Sequence, residues 1–498
     1  MFEGLLVGLN GIIDPRNLLA VVTGCLVGTL VGVLPGIGPT GTMALLLPLT
    51  YALGPTAGMI MLAGIWYGAQ YGGSTTSILV NVPGEAASIV TTLDGYQMAR
   101  KGKAGAALTI AAIGSFVAGT VGVLGLTLFA PPLAEVALDF GPPEFLWIGL
   151  LGLLLLSNLS GRSTPKALLM AVFGMMLATV GMDPNSGAPR FAMGSTQFFG
   201  GFDFVPVTMG LFGVAEILSS CRERMQSWEV FTVRFRDLYP NREEIRRSLG
   251  PMFRGGVLGF LVGLIPGPAA VMSSFVSYKL ERKLSKHPEE FGQGAIEGVA
   301  GPESANNSAT AGGLVPLLAL GLPFAPPTAV LLSGLMIHGI VPGPLMMTQH
   351  PELFWTVIAS MYLGNIILLI LNLPLVGVFA SVTRVRMAIV FPVVLILCVV
   401  GAYAVNNSLF DVWVMLAFGI LGYVLRRHDF EAAPIVLGLV LGRVLENSLR
   451  QSLVILDGNV WEFCSRPICA VLISSAVLTL IVPAVVRSIM RRKSTPEA

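Results

Sequence analysis

Long apolar stretches separated by short polar interruptions run along the chain. A transmembrane helix needs about 20 mostly apolar residues, and windows of that kind predict about twelve spans. The apolar runs are continuous and do not alternate with period two, which excludes an outer-membrane barrel. The pattern therefore predicts an all-α integral membrane protein.

Several of these apolar stretches are interrupted by proline, glycine and small polar residues. The first half contains "PGIGPTGT" from Pro35, "YGGSTTS" from Tyr71 and "NVPGE" from Asn81. The second half contains "PGP" from Pro266 and "EGVAGPESANNSATAGG" from Glu297. Broken helical backbone at membrane depth is tolerated only where protein or a water-filled cavity surrounds it. The interruptions therefore predict a cavity.

The interruptions of the two halves belong to a sequence repeat. "GTLVGVLPG" (residues 28–36) matches "GFLVGLIPG" (residues 259–267) at six of nine positions, with an offset of 231. "AQYGGSTTSILVNVP" (residues 69–83) matches "ATAGGLVPLLALGLP" (residues 309–323) in its double glycine and its final proline, with an offset of 240. These matches predict two repeats, each with a broken or re-entrant helix. Neutral residues flank the first motif and basic residues flank the second, which favours inverted over parallel repeats.

A basic segment separates the two predicted halves. Residues 221–254 contain eight arginines, and short basic loops stay in the cytoplasm. We therefore predict a first half at 1–220, a cytoplasmic linker at 221–254 and a second half at 255–498. The segment from Gly255 to Tyr278 lies between two basic flanks. It either turns back at Pro266 or crosses the membrane as one tilted helix.

Composition agrees with membrane insertion and narrows the chemistry. The chain of 498 residues is 54% hydrophobic and 12% charged, with a mean hydropathy of +0.78, whereas soluble domains carry about 25% charged residues. A net charge of +2 gives no reason to expect nucleic-acid binding. The five cysteines and four histidines are scattered, so no metal site, cofactor or catalytic centre is predicted. The N-terminus has no basic region before its apolar run, so no cleaved signal peptide is expected.

Paired interruptions in two halves point to the binding site of a secondary transporter. Helix N-termini at such breaks suit carboxylates, and free carbonyl oxygens suit a cation such as Na⁺. In the first half, glycines, hydroxyls and one amide are candidates for substrate binding: Gly36, Gly38, Thr40, Gly72, Gly73, Ser74, Thr75, Asn81 and Gly84. In the second half, a carboxylate, two amides and two hydroxyls are candidates for coupling to Na⁺ or H⁺: Glu303, Asn306, Asn307, Ser308 and Thr310.

Each of these residues also has a structural interpretation. Single hydroxyls can serve helix packing or bond to the local backbone. Three other carboxylates are of interest. Glu85 follows a break, and Asp94 could lie in a loop at the membrane surface. Glu297 could have no role beyond capping a helix. No basic residue lies inside either motif. An anion would then be bound by N–H groups, hydroxyls and amides.

The motifs together resemble the large membrane subunit of the tripartite tricarboxylate transporters, the TctA family. The matching text is the stretch of PG, YGGS, NVPGE and LDGY motifs (residues 32–108) and the stretch of PGP and PESANN motifs (residues 266–323). The resemblance implies a permease of the bacterial inner membrane. It also implies a periplasmic solute-binding protein (TctC-like), a small four-span subunit (TctB-like) and carboxylate import driven by an ion gradient. The chain departs from the family at Phe324, where a glycine is expected, and this leaves the choice among carboxylates open.

Three other functions are alternatives to this one. A stand-alone secondary carrier or antiporter shares the repeat argument and differs only in its partners. A membrane-embedded enzyme would need a catalytic constellation, and the chain shows neither H-E-x-x-H nor G-x-S-x-G. A channel is disfavoured because two broken-helix repeats favour alternating access.

Overall fold

The computed structural model describes residues 2–34, 38–159, 163–222, 239–382 and 387–493. Almost all regular structure within these ranges is helical. The α-helices are α1 Phe2–Ile12, α2 Pro15–Val33, α3 Pro39–Leu53, α4 Pro55–Val80, α5 Ile89–Arg100, α6 Ala104–Ala137, α7 Pro142–Leu159, α8 Thr164–Ala178, α9 Phe204–Thr208, α10 Ala215–Arg222, α11 Arg242–Gly263, α12 Ala269–Leu284, α13 Glu297–Leu320, α14 Pro326–Ile337, α15 Met346–Gln349, α16 Pro351–Asn372, α17 Val376–Val382, α18 Met387–Asn406, α19 Leu409–Arg427, α20 Ala433–Ile455 and α21 Pro467–Lys493.

Short elements complete the secondary structure. Strands β1 (Gly181–Met182) and β2 (Pro189–Arg190) pair antiparallel. A π-helical segment, Met209–Val214, joins α9 to α10. The 3₁₀ turns are Ala86–Ser88, Thr196–Phe198, Pro288–Glu290 and Val460–Ser465.

Four of the described helices are long and apolar enough to cross a membrane: α2, α6, α16 and α19. Several shorter apolar helices, such as α8 and α14, accompany them. The all-α membrane class is thus supported, while the prediction of about twelve spans is not confirmed.

Two helices, α4 and α13, form the centre of the part of the chain made up of residues 1–135 and 203–427. Every residue of α4 from Ala57 to Val80, and every residue of α13, is buried. The helix α2 packs along α4, and α11 packs along α13. Glycines allow both close approaches, because a Cβ on Gly32 or on Gly263 would meet the backbone of the facing helix.

The two helix pairs make matching contacts at the positions that the sequence repeat aligns. Gly28 packs against the carbonyl of Ile65, and Gly259, its counterpart at the offset of 231, packs against the carbonyl of Ala305. Ile65 and Ala305 are themselves related by the second offset of 240. The same holds for Gly32 with Ala69 and for Gly263 with Ala309. These paired contacts support duplication, which stays a prediction, as does the inversion of the repeats.

The segment from Gly255 to Tyr278 is not one continuous helix. The helix α11 ends at Gly263, and α12 begins at Ala269 and packs against α11. Gly267 lies in the break, with its N–H donating to the carbonyl of Phe324 (3.0 Å). This packing favours a turn back over a single tilted helix.

Contacts group the chain into two units. One contains residues 1–135 and 203–427, and the other contains residues 136–202 and 428–498. The three predicted segments follow a different criterion and stay a prediction. Residues 223–238 of the predicted linker lie outside the described residues.

In the second unit, α20 packs against α7 and α8, and α21 packs against α7. The hairpin of β1 and β2 lies against α20 through charged groups, because Arg190 binds Glu446 (2.5 Å) and Arg450 binds Asp183 (2.8 Å). Hydrogen bonds from the backbone N–H groups of Ser186 and Asn185, followed by the one from Arg450, hold the pKa of the Asp183 carboxyl well below its usual range.

Candidate functional site

A cavity of about 390 Å³ lies within the first unit, where four breaks of the chain meet. Residues 38–40 and 83–86 of the first predicted half line it, together with residues 267–271 and 324–327 of the second half. The walls between these breaks come from the two central helices, with Trp66 of α4 packed near Gly313 of α13. The cavity is thus built from both predicted halves at once.

Three helices begin at the wall of this cavity. They are α3 at Pro39, α12 at Ala269 and α14 at Pro326. The first N–H groups of a helix have no partner within the helix, and its N-terminus carries a partial positive charge. Thr40 of α3 and Ala270 of α12 lie in such first turns and line the cavity. The arrangement suits an anion.

The charged side chains at the wall are acidic. Glu216 forms an ion pair with Arg426, whereas the Glu85 carboxylate accepts a hydrogen bond from the N–H of Ala87 (2.8 Å). No lysine or arginine belongs to the lining in the described part of the chain. An anion in the cavity would therefore be bound by backbone and neutral groups.

Gln70 is the buried amide of the cavity wall. Its residue is 1% exposed, and neither amide atom finds a hydrogen-bond partner of acceptable geometry among the described residues. The Glu85 carboxyl lies within reach of a weak hydrogen bond from the Gln70 N–H₂ group, which leaves the amide oxygen and one N–H without a partner in the described part of the chain. A ligand in the cavity could satisfy this amide.

Behind the cavity, the Glu303 carboxylate of α13 is fully buried. Ser74 of α4 donates to Oε2 (2.5 Å), Thr91 of α5 donates to Oε1, and the Asn306 amide lies 3.4 Å from Oε2. No ion pair joins Glu303 to a basic residue within the ranges that the structure describes. A buried carboxylate with only hydroxyl and amide donors destabilises the folded protein through its desolvation free energy unless it gains a proton or a cation.

Among the other predicted coupling residues, Asn306 contacts the Glu303 carboxylate and Asn307 contacts the backbone carbonyl of Glu303. Ser308 instead faces Gly122 of α6. The Asn307 amide donates to Ser115 (2.8 Å) and to Asn306 Oδ1 (2.7 Å), and Thr310 donates to the carbonyl of Asn306 (3.1 Å). The Ser308 hydroxyl is buried and has no partner in the described part of the chain.

A small void of about 20 Å³ borders this cluster. Asn307 and Thr310 line it, together with Tyr71 and Asn365. It has room for about one water molecule or one small ion.

Asp94 binds the loop that leads into α13. Its carboxylate accepts N–H groups from Gly292 (2.8 Å), Gly294 (2.7 Å) and Ala295 (2.9 Å) and the hydroxyl of Tyr278 (2.9 Å). The expectation of a surface loop at Asp94 is wrong, because the residue lies buried within α5. Three backbone donors at this point offset the cost of burying the carboxylate.

Glu297 is the first residue of α13 and pairs with Arg247 (2.8 Å). This placement agrees with a role at the start of the helix.

The structure brings only some of the predicted substrate residues to the cavity. Gly38, Thr40 and Gly84 line it, and Gly36 lies outside the described residues. Ser74 binds Glu303 instead.

The other predicted substrate residues serve packing or lie elsewhere. Gly72 packs against the backbone of α2, and Gly73 lies against Glu85. Thr75 lines a separate void of about 10 Å³. Asn81 is exposed and ends α4 in a left-handed conformation.

Sequence reasoning missed Trp66, Gln70, Thr91 and Ser115. The helical spacing of Trp66, Gln70 and Ser74, four residues apart, was the available signal for the first two. Phe324, which departs from the family pattern, lies in the cavity wall and is 9% exposed. Thr91 and Ser115 come from distant segments, and no local pattern marks them. No group of three or more potential metal ligands among His, Cys, Asp and Glu occurs in the described residues.

Comparisons with known proteins give two relatives and a family for the chain. A protein of Agrobacterium vitis, described as "Uncharacterized 52.8 kDa protein in TAR-I ttuC' 3'region", is 47% identical over 482 residues, which cover 97% of this chain and 96% of the relative. A second protein of that organism, "Uncharacterized protein in TAR-II ttuC' 3'region", is 46% identical over 223 residues, covering 45% of this chain and 92% of the relative. No solved structure matches the chain. The family model described as "Tripartite tricarboxylate transporter TctA family" matches residues 18–437, and the chain belongs to this family of transporter membrane subunits.

Proposed function

We propose that this chain is the permease subunit of a binding-protein-dependent secondary transporter that imports a carboxylate with a Na⁺ or H⁺ gradient. The substrate would be a tricarboxylate such as citrate, or a related di- or aromatic carboxylate. The observation that carries the proposal is the convergence of three helix N-termini on one cavity built from both predicted halves. The N-termini of α3 and α12 provide N–H donors and partial positive charge for carboxylate oxygens, whereas α14 begins with Pro326 and Pro327, which have no N–H, and contributes a weaker positive field.

Phe324 and Trp66 give part of the cavity wall an aromatic surface. Both line the cavity, and Phe324 occupies the position where the family pattern has a glycine. Apolar and aromatic walls favour a substrate with hydrocarbon or ring surface beside its carboxylates. The proposal therefore includes dicarboxylates and aromatic acids alongside citrate.

The coupling ion is proposed to act at the cluster around Glu303. Carboxylate, amide and hydroxyl oxygens are ligands that hard cations prefer, and Glu303, Asn306, Asn307, Ser308 and Thr310 offer them within two turns of α13. A proton on Glu303 would neutralise the buried charge equally well. Either ion would offset the negative charge that a carboxylate brings into the adjacent cavity.

Family membership supports the proposed partners and location. Tripartite systems of this kind generally include a periplasmic solute-binding protein (TctC-like) and a small four-span subunit (TctB-like). In the proposed cycle, the loaded binding protein docks on the periplasmic face of the bacterial inner membrane. It releases a carboxylate to the cavity, and the coupling ion binds beside it.

Uptake by proteoliposomes that contain the purified complex tests this function. Labelled di-, tri- and aromatic carboxylates are offered with the binding protein present or absent, and Na⁺ and proton gradients are imposed separately. The proposal expects uptake that needs the binding protein and one gradient. Uptake without the binding protein would identify the stand-alone carrier, and gradient-independent flux would indicate a channel.

A further inference from the structure

Gln70 is the side chain of α4 that lines the large cavity with buried polar atoms that make no hydrogen bond of acceptable geometry to the described residues. Ser74, Thr76 and Ser77 have hydrogen-bond partners within the protein, and the Tyr67 hydroxyl, which also lacks one of acceptable geometry among the described residues, belongs to a residue that lines the small void instead. Among the described residues, the Glu85 carboxyl lies within reach of a weak hydrogen bond from the Gln70 N–H₂ group, so the amide oxygen and one N–H stay free for a ligand. Nearly all buried polar groups in native proteins are paired, so such an amide calls for an explanation.

The aligned position in the second half does not share this feature. The offset of 240 relates Gln70 to Thr310, whose hydroxyl donates to the carbonyl of Asn306. The protein thus provides a hydrogen-bond partner for the Thr310 hydroxyl, whereas the Gln70 amide lies at the cavity wall without one of acceptable geometry in the described residues. Helix packing common to both halves does not require the Gln70 amide.

Gln70 belongs to a different part of the same cavity wall from the helix N-termini that suit a first carboxylate. It belongs to α4, between Trp66 one turn before it and Ser74 one turn after it. The helix N-termini of α3, α12 and α14 form other parts of the wall. A substrate bound at these N-termini can therefore reach the amide with a second polar group.

We propose that Gln70 determines substrate selectivity by hydrogen bonding to a second oxygen-bearing group, a carboxylate or a hydroxyl, of the transported carboxylate. This inference rests on the proposed function of the cavity. An amide side chain donates to a carboxylate and both donates to and accepts from a hydroxyl. A substrate without the second group would displace water and leave the amide unpaired. Sites built around buried polar groups discriminate against such analogues.

The test uses pairs of acids that differ in one polar group: succinate against butyrate, and citrate against tricarballylate. Dissociation constants are measured on the purified full-length chain in detergent, with and without Na⁺. The wild-type chain should prefer the more polar member of at least one pair by about 10- to 100-fold, the range expected for one unpaired buried group. Gln70→Met, which keeps size and removes both polar atoms, should bring the two affinities to near equality while keeping the affinity for the less polar acid.

Two further variants separate selectivity from folding. Asn372→Leu removes a buried amide whose oxygen also lacks a partner among the described residues but which lies outside the cavity lining, and it should leave the preference unchanged. Gln70→Glu keeps size and polarity, so it covers the case in which Gln70→Met does not fold. Its added negative charge should weaken the binding of succinate more than the binding of butyrate.

The outcomes distinguish the inference from the function on which it rests. If the Gln70 variants retain the wild-type preference, the inference is overturned and the proposed carboxylate site stands. If the wild-type chain binds none of the four acids under any condition, the di- and tricarboxylate part of the proposed substrate class fails, and the role of Gln70 fails with it.

Discussion

If the proposed coupling ion acts at Glu303, replacing Glu303 by glutamine should abolish the response of the protein to that ion. Glu303→Gln keeps the shape of the side chain and removes a charge that is fully buried and has no basic partner in the described residues. A unit charge and a monovalent cation about 4 Å apart attract each other by about 4 kcal/mol at an effective dielectric constant of about 20. Each 1.4 kcal/mol is a factor of ten in affinity, so the cation should bind about 10³-fold more weakly.

Thermal unfolding of the purified chain can measure this loss directly. At a Na⁺ concentration about 100 times its dissociation constant, binding raises the free energy of unfolding by about 2.7 kcal/mol. After a 10³-fold loss of affinity, the same concentration would contribute less than about 0.1 kcal/mol. The expected result is a sodium-dependent rise in Tm for the wild type and none for Glu303→Gln. For a proton-coupled protein, the corresponding loss is in the pH dependence of uptake.

Glu144→Gln provides the matched control. Glu144 is also a buried carboxylate, but Arg466 neutralises it (2.5 Å) and it lies in the second unit. Its replacement should lower Tm without changing the sodium response. The reasoning about Glu303 would be refuted if Glu303→Gln kept both the wild-type sodium response and gradient-driven uptake.

Three further changes test the surroundings of the site. Gly84→Ala should destabilise the protein by about 1–3 kcal/mol in thermal unfolding, since its Cβ would collide with the carbonyl of Gly32, whereas Gly200→Ala, with open space around it, should not. Asp94→Asn weakens hydrogen bonds to a charged acceptor by about 1.5–3 kcal/mol in total, so amide exchange at residues 292–295 should accelerate; unchanged exchange would contradict its role in fixing this loop. The pKa of Asp183 is lowered in the folded protein, so its stabilisation is present above the unfolded pKa of about 3.9 and is lost as pH falls further. Asp183→Asn should therefore be less stable than the wild type at neutral pH, and the gap should close in unfolding experiments in strongly acidic buffer.

The sequence predicted the helical class, the breaks at PGIGPTGT, NVPGE and PGP, and the polar cluster on α13. The interruptions predicted at YGGSTTS and EGVAGPESANNSATAGG are wrong as breaks, because these residues lie inside the continuous helices α4 and α13. Small and polar residues there mark close helix packing and polar contacts instead. Ser74 and Glu303 were both identified as candidates, and the structure places them in direct contact. Their pairing could not be predicted, since they are 229 residues apart.

The sequence could not predict which neighbouring helix or cavity each side chain of α4 faces. An amphipathic helix reveals its inner face by period, but α4 is buried on every side and has no polar face to orient it. The double glycine at Gly72 and Gly73 was therefore assigned to the substrate, although Gly72 serves the contact with α2. Gln70 lies one helical turn from both Trp66 and Ser74, but this spacing alone does not show which neighbours the amide faces. Only the three-dimensional arrangement distinguishes it.

The charge balance of the site favours coupling to a cation or proton. The N-termini of α3 and α12 contribute about +0.5 charge each, or about +1 together, and α14, which begins with two prolines, contributes less. When Glu85 and Glu303 are ionised they contribute two negative charges, and neither forms an ion pair with a basic residue in the part of the chain that the structure describes. The empty site is then already slightly negative, and each substrate carboxylate would make it more so. An arginine would correct this balance permanently and would also retain the substrate after delivery. A neutralising ion that arrives and leaves with the substrate corrects it only while the substrate is bound, which is what gradient-driven transport requires.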